Sequence, residues 1–147
     1  MSEVLKICIS KNSGEEMQDL DTIEVLANKV IINDRYFNEN NDQDIQITFI
    51  ESENIDYVNE ISSTSVPYID FRRNIITKGI KLNKLVDKEF LIGNVKIKGH
   101  RLCNPCKYLQ DKLNIENLVK KLLNIGGLRC EILTDGRISI KDKIKIL

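Results

Sequence analysis

Short runs of β-branched residues, separated by turn dipeptides, constrain the fold more than any other feature of this sequence. "FLIGNVKIK" carries apolar positions on both sides of Gly93-Asn94, and "LRCEILTDGRISI" does so around Asp135-Gly136. Both dipeptides favour the positive φ that tight hairpin turns require, so we expect two antiparallel hairpins. The runs "EVLKICIS" (Glu3–Ser10), "IQITFIE" (Ile45–Glu51) and "KIKIL" each predict a further strand.

Two segments have helical spacing. Ile55, Val58 and Ile61 recur on one face of "SENIDYVNEIS", and Pro67 prevents that helix from continuing. "YLQDKLNIENLVKKLLNIGG" places its leucines largely on one face and stops at a Gly-Gly pair, so we expect one clear helix. "TIEVLANKVII" is ambiguous, and the Asn-rich "NDRYFNENNDQD" predicts an exposed loop. With about six to nine short strands and two helices, the predicted fold class is a β-rich α+β domain.

Composition narrows the class of protein and its partners. At 147 residues the chain predicts a single domain, 1–147, with a core that needs no disulfide or metal. Its 22 Lys+Arg balance 22 Asp+Glu, and this zero net charge argues against a nucleic-acid partner. The sequence has no signal-peptide pattern and no apolar run near the ~20 residues that span a bilayer, so we expect a cytoplasmic protein without a membrane partner. Its cysteines should then be thiols.

The stretch "KGHRLCNPCKYLQ" (Lys98–Gln110) carries the densest chemistry. Cys103 and Cys106 are three apart around Pro105, and the only histidine, His100, lies three residues upstream. The C-x-x-C spacing before a helical pattern fits a thioredoxin-like dithiol, although no downstream proline is present for the cis-proline that such sites use. His100, Cys103 and Cys106 also supply three of the four ligands that a closed zinc site needs.

A non-chemical interpretation applies to the other two cysteines. Cys8 and Cys130 each lie inside an apolar strand pattern, where free cysteine commonly behaves as a small buried hydrophobe. We therefore expect both to be structural thiols. Cys103 and Cys106 follow a polar stretch, where a core role is less natural. One working cysteine with a companion remains a further alternative for that pair.

A longer stretch, "FRRNIITKGIKLNKLVDKEFLIGNVKIKGHRLCNPCKYL", resembles the central signature of the MOSC domain, named for the C-terminal part of molybdenum-cofactor sulfurases. The shared order is Arg-Arg-Asn-Ile, a Gly after Thr77-Lys78, Leu-x-x-Leu-Val, Phe-x-Ile-Gly and a basic residue before Pro-Cys. "QITFIESENIDYVN" and the Gly-x-Arg of "GLRCEILTDGRISIKD" extend the resemblance. The family often has Gly-Asp-Arg where this chain has Asn33-Asp34-Arg35.

The resemblance implies a MOSC-like distorted β-barrel with flanking helices, and either sulfur transfer or molybdenum-cofactor chemistry through one cysteine. By position that catalytic and metal-binding cysteine is Cys106, with Cys103 as a variable companion. Thiolate suits a soft metal such as molybdenum. The phosphate or nucleotide tail of molybdopterin requires cations, and the arginine fork fits phosphate. The candidate cofactor-binding residues are therefore Arg72, Arg73, Asn74, Thr77 and Arg101.

Three functions follow as hypotheses. The first is a domain that binds the molybdenum cofactor, with Cys106 as metal ligand, and acts in reduction of N-hydroxylated compounds or in cofactor handling. The second is a non-enzymatic sulfur carrier with a persulfide on Cys106, and the third is the thioredoxin-like dithiol oxidoreductase. The sequence contains no iron–sulfur motif and no flavin fingerprint, so a protein partner that donates electrons or sulfur is expected. His100 either lowers the pKa of the Cys106 thiol or is a half-exposed strand residue.

Overall fold

An eight-stranded sheet dominates the fold. In a computed structural model of the chain, the described residues are 2–10, 16–27, 31, 46–104 and 107–147. These residues contain ten strands and three α-helices, more strands and helices than the sequence predicts. In chain order they are β1 Glu3–Ile9, β2 Gln18–Leu20, β3 Thr22–Val25, β4 Ile47–Glu51, α1 Ser52–Ser62, β5 Ile75–Lys78, β6 Glu89–Ile92, β7 Val95–Leu102, α2 Lys107–Leu113, α3 Leu118–Lys121, β8 Leu128–Ile132, β9 Gly136–Ser139 and β10 Ile144–Ile146.

The large sheet has the strand order β10-β6-β7-β8-β4-β5-β1-β2, and β3 pairs with β9 in a second, two-stranded sheet. Among the strand pairs of the described residues, β4 with β5 is the parallel one, and the crossover through α1 joins these two strands. The large sheet curls into a half-barrel. Residues next to its two ends meet, since Glu3 bridges to Lys143 and the Ile144 N–H donates to the Ser2 carbonyl at 3.1 Å. The predicted β-rich α+β class with a barrel-like sheet is confirmed.

The first predicted hairpin is confirmed and the second is wrong. β6 and β7 pair across Gly93-Asn94. β8 and β9 flank Asp135 as predicted strands, but they do not pair with each other. The reason is that β7 and β4 already occupy the two edges of β8, which leaves β9 to pair with β3. Asp135 joins that second sheet through its Oδ1, which accepts from the Ala27 N–H at 2.6 Å.

The predicted single helix after Tyr108 is also wrong. It is divided into α2 and α3 by Asn114 and Asn117, which adopt left-handed φ values of 53° and 59°. Asparagine tolerates this conformation better than most residues. The break turns Ile115 into the same apolar cluster as Leu118. Burial of both side chains therefore outweighs the local helical pattern. α1, in contrast, spans the whole predicted segment, from Ser52 to Ser62.

Two apolar cores lie on opposite faces of the curled sheet. The inner core fills the curl and includes Cys130 and the edge-to-face pair Phe49–Phe90, with ring centroids 5.7 Å apart. The outer core, which contains Cys8, packs the other face of β1, β4 and β5 against the helices. None of the described helices is long and apolar enough to cross a membrane. The outer face of β7 and β8 lacks residues of the outer core, and it carries polar and charged side chains.

Candidate functional site

The end of β7 is held by hydrogen bonds from three distant parts of the chain. The Cys103 N–H donates to the Gly127 carbonyl at 2.8 Å, and the Cys103 carbonyl accepts from Nη2 of Arg73 at 3.2 Å. Nε of the same arginine donates to the Gly126 carbonyl at 3.0 Å. One residue later, Asn104 Oδ1 accepts from the N–H of Asn124 at 3.0 Å. The segment that leads into the predicted cysteine loop is therefore fixed up to Asn104.

Gly127 is required for this arrangement. Its φ is +123°, and a Cβ at this position would lie 2.1 Å from the carbonyl oxygen of Phe49. Only glycine permits both the backbone conformation and the close approach of the neighbouring strand. The approach in turn brings the Gly127 carbonyl to the Cys103 N–H. The Gly-Gly pair that was expected to stop a helix thus also positions the end of β7.

Asn74 connects three strands through its side chain. Its Oδ1 accepts from the N–H and the hydroxyl of Thr48, both at 3.1 Å, and its Nδ2 donates to the Cys8 carbonyl at 3.2 Å. Thr48 lies opposite Arg129 in the β4–β8 register, and Arg129 lies opposite Arg101 in the β7–β8 register. Asn74, Thr48, Arg129 and Arg101 are therefore neighbours in a line that runs across the strands of the sheet. Asn74 is the buried end of this line.

The other two predicted cofactor-binding residues are buried. Thr77 is in β5 and has no exposed surface, and its hydroxyl donates to the Ile50 carbonyl at 3.4 Å. Arg72 follows the 3₁₀ helix Tyr68–Phe71 with a left-handed φ of 64°, and its N–H donates to the Ile69 carbonyl. Of the three predicted arginines, Arg73 and Arg101 come together around the end of β7.

An irregularity in β7 groups charged side chains on its outer face. The register with β8 shifts between Gly99 and Arg101, the mark of a β-bulge. Arg101 lies directly opposite Arg129. His100, the residue at the shift, has its Nε2 2.9 Å from Oε1 of Glu131. We call these four residues (His100, Arg101, Arg129 and Glu131) the charged quartet.

Arg129 gives the charged quartet a capacity to bind anions. Its guanidinium has no hydrogen bond or ion pair among the described residues, although Arg101 carries the same charge directly across the strand pair. Like charges directly opposite each other on a strand pair repel. The two arginines lie next to the anchored end of β7, since Leu102 and Cys103 follow directly. Arginine pairs well with phosphate-like groups, so this surface at the end of β7 is chemically suited to one.

Three cysteines are buried thiols. Cys8 and Cys130 have no exposed surface, as predicted from their strand patterns, and Cys103 is also buried. Burial raises the pKa of the Cys130 thiol well above its ordinary value, and the charge of a Cys103 thiolate would raise it further. The Cys8 Sγ donates to the Arg73 carbonyl at 2.8 Å, which ties β1 to the same arginine. These contacts favour structural roles for Cys8 and Cys130.

Three predicted features lie outside the described residues. They are Pro105 with the candidate catalytic Cys106, the Asn33-Asp34-Arg35 loop, and the rest of the Asn-rich segment 33–44. Within the described ranges, no group of three or more His, Cys, Asp and Glu side chains could hold a metal ion. The zinc alternative of His100, Cys103 and Cys106 includes one residue outside those ranges.

Sequence reasoning missed Arg129, Glu131 and Asn104 as members of this region. A signal for Arg129 was available, because the Gly-x-Arg of "GLRCEIL" belongs to the resemblance noted above. Nothing in the sequence indicated Glu131, since its pairing with His100 depends on the register of β7 against β8. Asn104 looked like a loop residue, and only the contact with Asn124 gives it a role.

One comparison with known proteins shows the family of this chain, and a second shows proteins with the same fold. The MOSC domain model matches residues 32–145. A search of curated proteins finds no match. The YuaD protein from Bacillus subtilis superposes with a TM-score of 0.85 at 14% identity, covering 99% of this chain and 96% of that one. YiiM from Geobacillus stearothermophilus superposes with a TM-score of 0.80 at 15% identity, covering 100% of this chain and 75% of that one. YiiM from Escherichia coli superposes with a TM-score of 0.71 at 16% identity, covering 99% of this chain and 69% of that one. At these identities the likeness concerns the fold.

Proposed function

Because the chain belongs to the MOSC domain family, we propose that it binds the molybdenum cofactor beside the end of β7, with Cys106 as the protein ligand of the metal. The family is associated with this cofactor. A thiolate is a suitable ligand for a soft metal, and the dithiolene of molybdopterin would supply the other sulfur ligands. The residue before Cys106 is a proline, which restricts the backbone of the loop that presents the thiol.

The observation that carries the proposal is the anchoring of Cys103 and Asn104. The hydrogen bonds from Arg73 and to Gly127 hold the chain two residues before Pro105, so the thiol that follows starts from a fixed point. A metal ligand must be held in one place, because its geometry decides how tightly the metal is bound. Arg73 thereby acts as a positioning residue for Cys106.

The residues that are present also fit the anionic part of the cofactor. Arg101 and Arg129 offer two guanidinium groups on the surface next to Cys103, and the arginine fork fits a phosphate tail. We assign a cofactor contact through charge to Arg101, while Arg73 positions the end of β7 and Arg72, the third arginine of the hypothesis, is buried. Asn74 and Thr77 have a supporting role in this proposal. Their side chains form hydrogen bonds within the sheet and so stabilise the strands next to the proposed cofactor site.

The proposed reaction is reduction of N-hydroxylated compounds. Such a reduction consumes two electrons and two protons for each N–O bond that is cleaved, and it releases water. The bound molybdenum would supply the redox chemistry. The chain has no motif for a second redox centre, so an electron-donating protein partner is required. The residues of this chain would bind and orient the cofactor and hold the thiol ligand.

The decisive experiment is a measurement of molybdenum per chain in protein purified from cells that make the cofactor. We expect close to one molybdenum per wild-type chain, none after Cys106→Ser and most of the wild-type content after Cys103→Ser. Equal loss in both single variants would contradict the assignment of Cys106. A mass increment of one sulfur atom on Cys106, without molybdenum, would instead support the sulfur carrier. A thioredoxin-like dithiol reductase would require a different fold from the curled sheet shared with YuaD.

A further inference from the structure

Exposed apolar side chains are concentrated on the helices. Among the described residues, six large apolar side chains are about half exposed, and two of these lie in the C-terminal residues 146 and 147. The other four are Tyr57 and Ile61 in α1, Tyr108 in α2 and Leu123 after α3. Tyr57 and Ile61 are four residues apart, so they share one face of α1. The opposite faces of the helices pack into the outer core, so this apolar surface is additional to the core.

The four side chains belong to one layer of helices. Lys121 Nζ donates to the Ser62 hydroxyl at 2.9 Å, which joins the end of α3 to the end of α1. Asn54 Nδ2 donates to the Ile125 carbonyl at 3.5 Å, which joins the first turn of α1 to the turn before β8. The segment 121–125, which contains Leu123, therefore lies alongside α1. α2 packs against α3 and extends the same layer.

Charge divides this layer into two halves. Between residues 52 and 71 the chain has four acidic side chains and no basic one, and all four are exposed. Between residues 107 and 125 it has four lysines and only two acidic side chains. We call the first segment the acidic half and the second the basic half. Each half carries one tyrosine and one aliphatic side chain that are about half exposed.

From this arrangement we propose that the helical layer is the interface of a symmetric dimer, in which the acidic half of one copy lies against the basic half of the other. A two-fold axis brings the same surface of both copies together, so a surface with one acidic and one basic half is complementary to itself. A partner of a single charge sign is attracted by one half and repelled by the other. In the dimer the apolar side chains form the centre of the interface and the charges form its rim. This inference is independent of the cofactor and of Cys106.

Sedimentation of the whole chain over a series of protein concentrations tests the proposal. We expect an equilibrium between monomer and dimer without larger species, because a two-fold interface is closed. Added salt should shift this equilibrium towards the monomer, since it screens the attraction between exposed charges. A chain that stays monomeric at the highest concentration, or that assembles beyond the dimer, would overturn the proposal. So would a dimer that does not respond to salt.

Two substitutions test the apolar centre of the interface. Tyr57→Ser and Leu123→Ser should each weaken the dimer by about tenfold or more, because a few central side chains carry most of the binding energy of an interface. Ile146→Ser is the matched control and should leave the dimer unchanged. Ile146 is 53% exposed, against 50% for Tyr57 and 56% for Leu123, but it lies in β10 at an edge of the sheet. Undiminished dimerisation of both folded helix variants would refute the interface.

Two charge reversals test how the halves pair. Lys120→Glu reverses one charge in the basic half, and Asp56→Lys reverses one in the acidic half; both side chains are exposed. Each variant alone should dimerise more weakly than the wild type. An equimolar mixture of the two should recover the dimer, because the reversed halves attract each other and the unchanged halves pair as before. Weakening of each variant without recovery in the mixture would refute the pairing of opposite halves.

Asp56→Ala controls for a contact within the chain. Asp56 Oδ1 accepts from the Tyr68 hydroxyl at 2.7 Å, and both Asp56 variants lose this hydrogen bond. Alanine removes the charge without reversing it, so Asp56→Ala should weaken the dimer less than Asp56→Lys. Equal weakening by the two variants would show that the loss of the Tyr68 contact, and not the charge, causes the effect, and would contradict the proposed pairing.

Discussion

Arg73 donates from Nη2 to the carbonyl oxygen of Cys103 at 3.2 Å, across 30 residues of sequence. Its Nε donates at the same time to the Gly126 carbonyl, so one guanidinium joins the start of β5, the end of β7 and the turn before β8. The planar guanidinium of arginine can donate to two backbone carbonyls at once, which lysine cannot do with the same geometry. The position of the end of β7 therefore depends on a residue that is remote in sequence.

Arg73→Lys tests this connection. Lysine keeps the charge but cannot bind both carbonyls in the same way, so we expect a loss of about 1 to 3 kcal/mol in the free energy of unfolding. Urea denaturation measures the change. If Cys106 is the metal ligand, as proposed, we also expect reduced molybdenum retention, because the segment that leads to it would be less well held. Arg137→Lys, in an exposed ion pair with Glu24, is the control and should change stability little.

Gly127→Ala tests the close approach of β4. The added Cβ would overlap the Phe49 carbonyl and would impose an unfavourable φ, so roughly 2 to 6 kcal/mol of stability should be lost. Gly93→Ala is the comparison, since Gly93 has φ +54° and its Cβ would meet only the side chain of Asp142. A smaller loss at Gly93 is expected in thermal unfolding. Equal losses of stability in the two variants would show that the backbone moves to relieve the overlap of the Cβ added at Gly127 with the Phe49 carbonyl.

Glu51→Gln should stabilise the protein at neutral pH. Burial raises the pKa of the Glu51 carboxyl, although the Leu82 N–H donates to it and opposes that shift. A carboxyl with a raised folded-state pKa favours folding below its unfolded pKa, and this contribution is lost as the pH rises through the folded value. The stability advantage of glutamine should therefore shrink as the pH falls from 7 towards 4.5. Denaturation of both proteins across this range measures it.

The control for that experiment is Glu60→Gln, on the exposed face of α1. It should change the pH dependence of stability much less. If Glu51→Gln destabilised the protein at pH 7, the carboxylate would be making a favourable contact that outweighs its burial. The Leu82 N–H bond is retained in the variant, since the glutamine carbonyl accepts in the same place.

Replacing Cys8 and Cys130 tests their structural role. Both thiols are fully buried, one in each core, so each change to alanine should cost about 0.5 to 3 kcal/mol. Molybdenum content per folded chain should stay at the wild-type level in both variants. A folded double variant without molybdenum would show that one of these cysteines belongs to the functional site.

Local pattern determined much of the fold. The strands β1, β4, β6, β7 and β10 follow from short runs rich in β-branched residues, and the helix α1 follows from its helical spacing of apolar residues. The β6–β7 hairpin follows from Gly93-Asn94, since the turn chemistry and the strand pairing agree. The family resemblance and the burial of Cys8 and Cys130 were likewise readable from the sequence alone.

Only the tertiary structure decided how distant segments combine. β9 pairs with β3 because β4 and β7 fill both edges of β8, and no local signal describes an occupied edge. The helix after Tyr108 breaks because burial of Ile115 outweighs its helical pattern. Arg129 and His100 reach one surface because a bulge changes the register of β7 against β8. Strand pairing is non-local, so the charged quartet exists only once the sheet has formed, whereas the turn at Gly93-Asn94 is specified by its own residues.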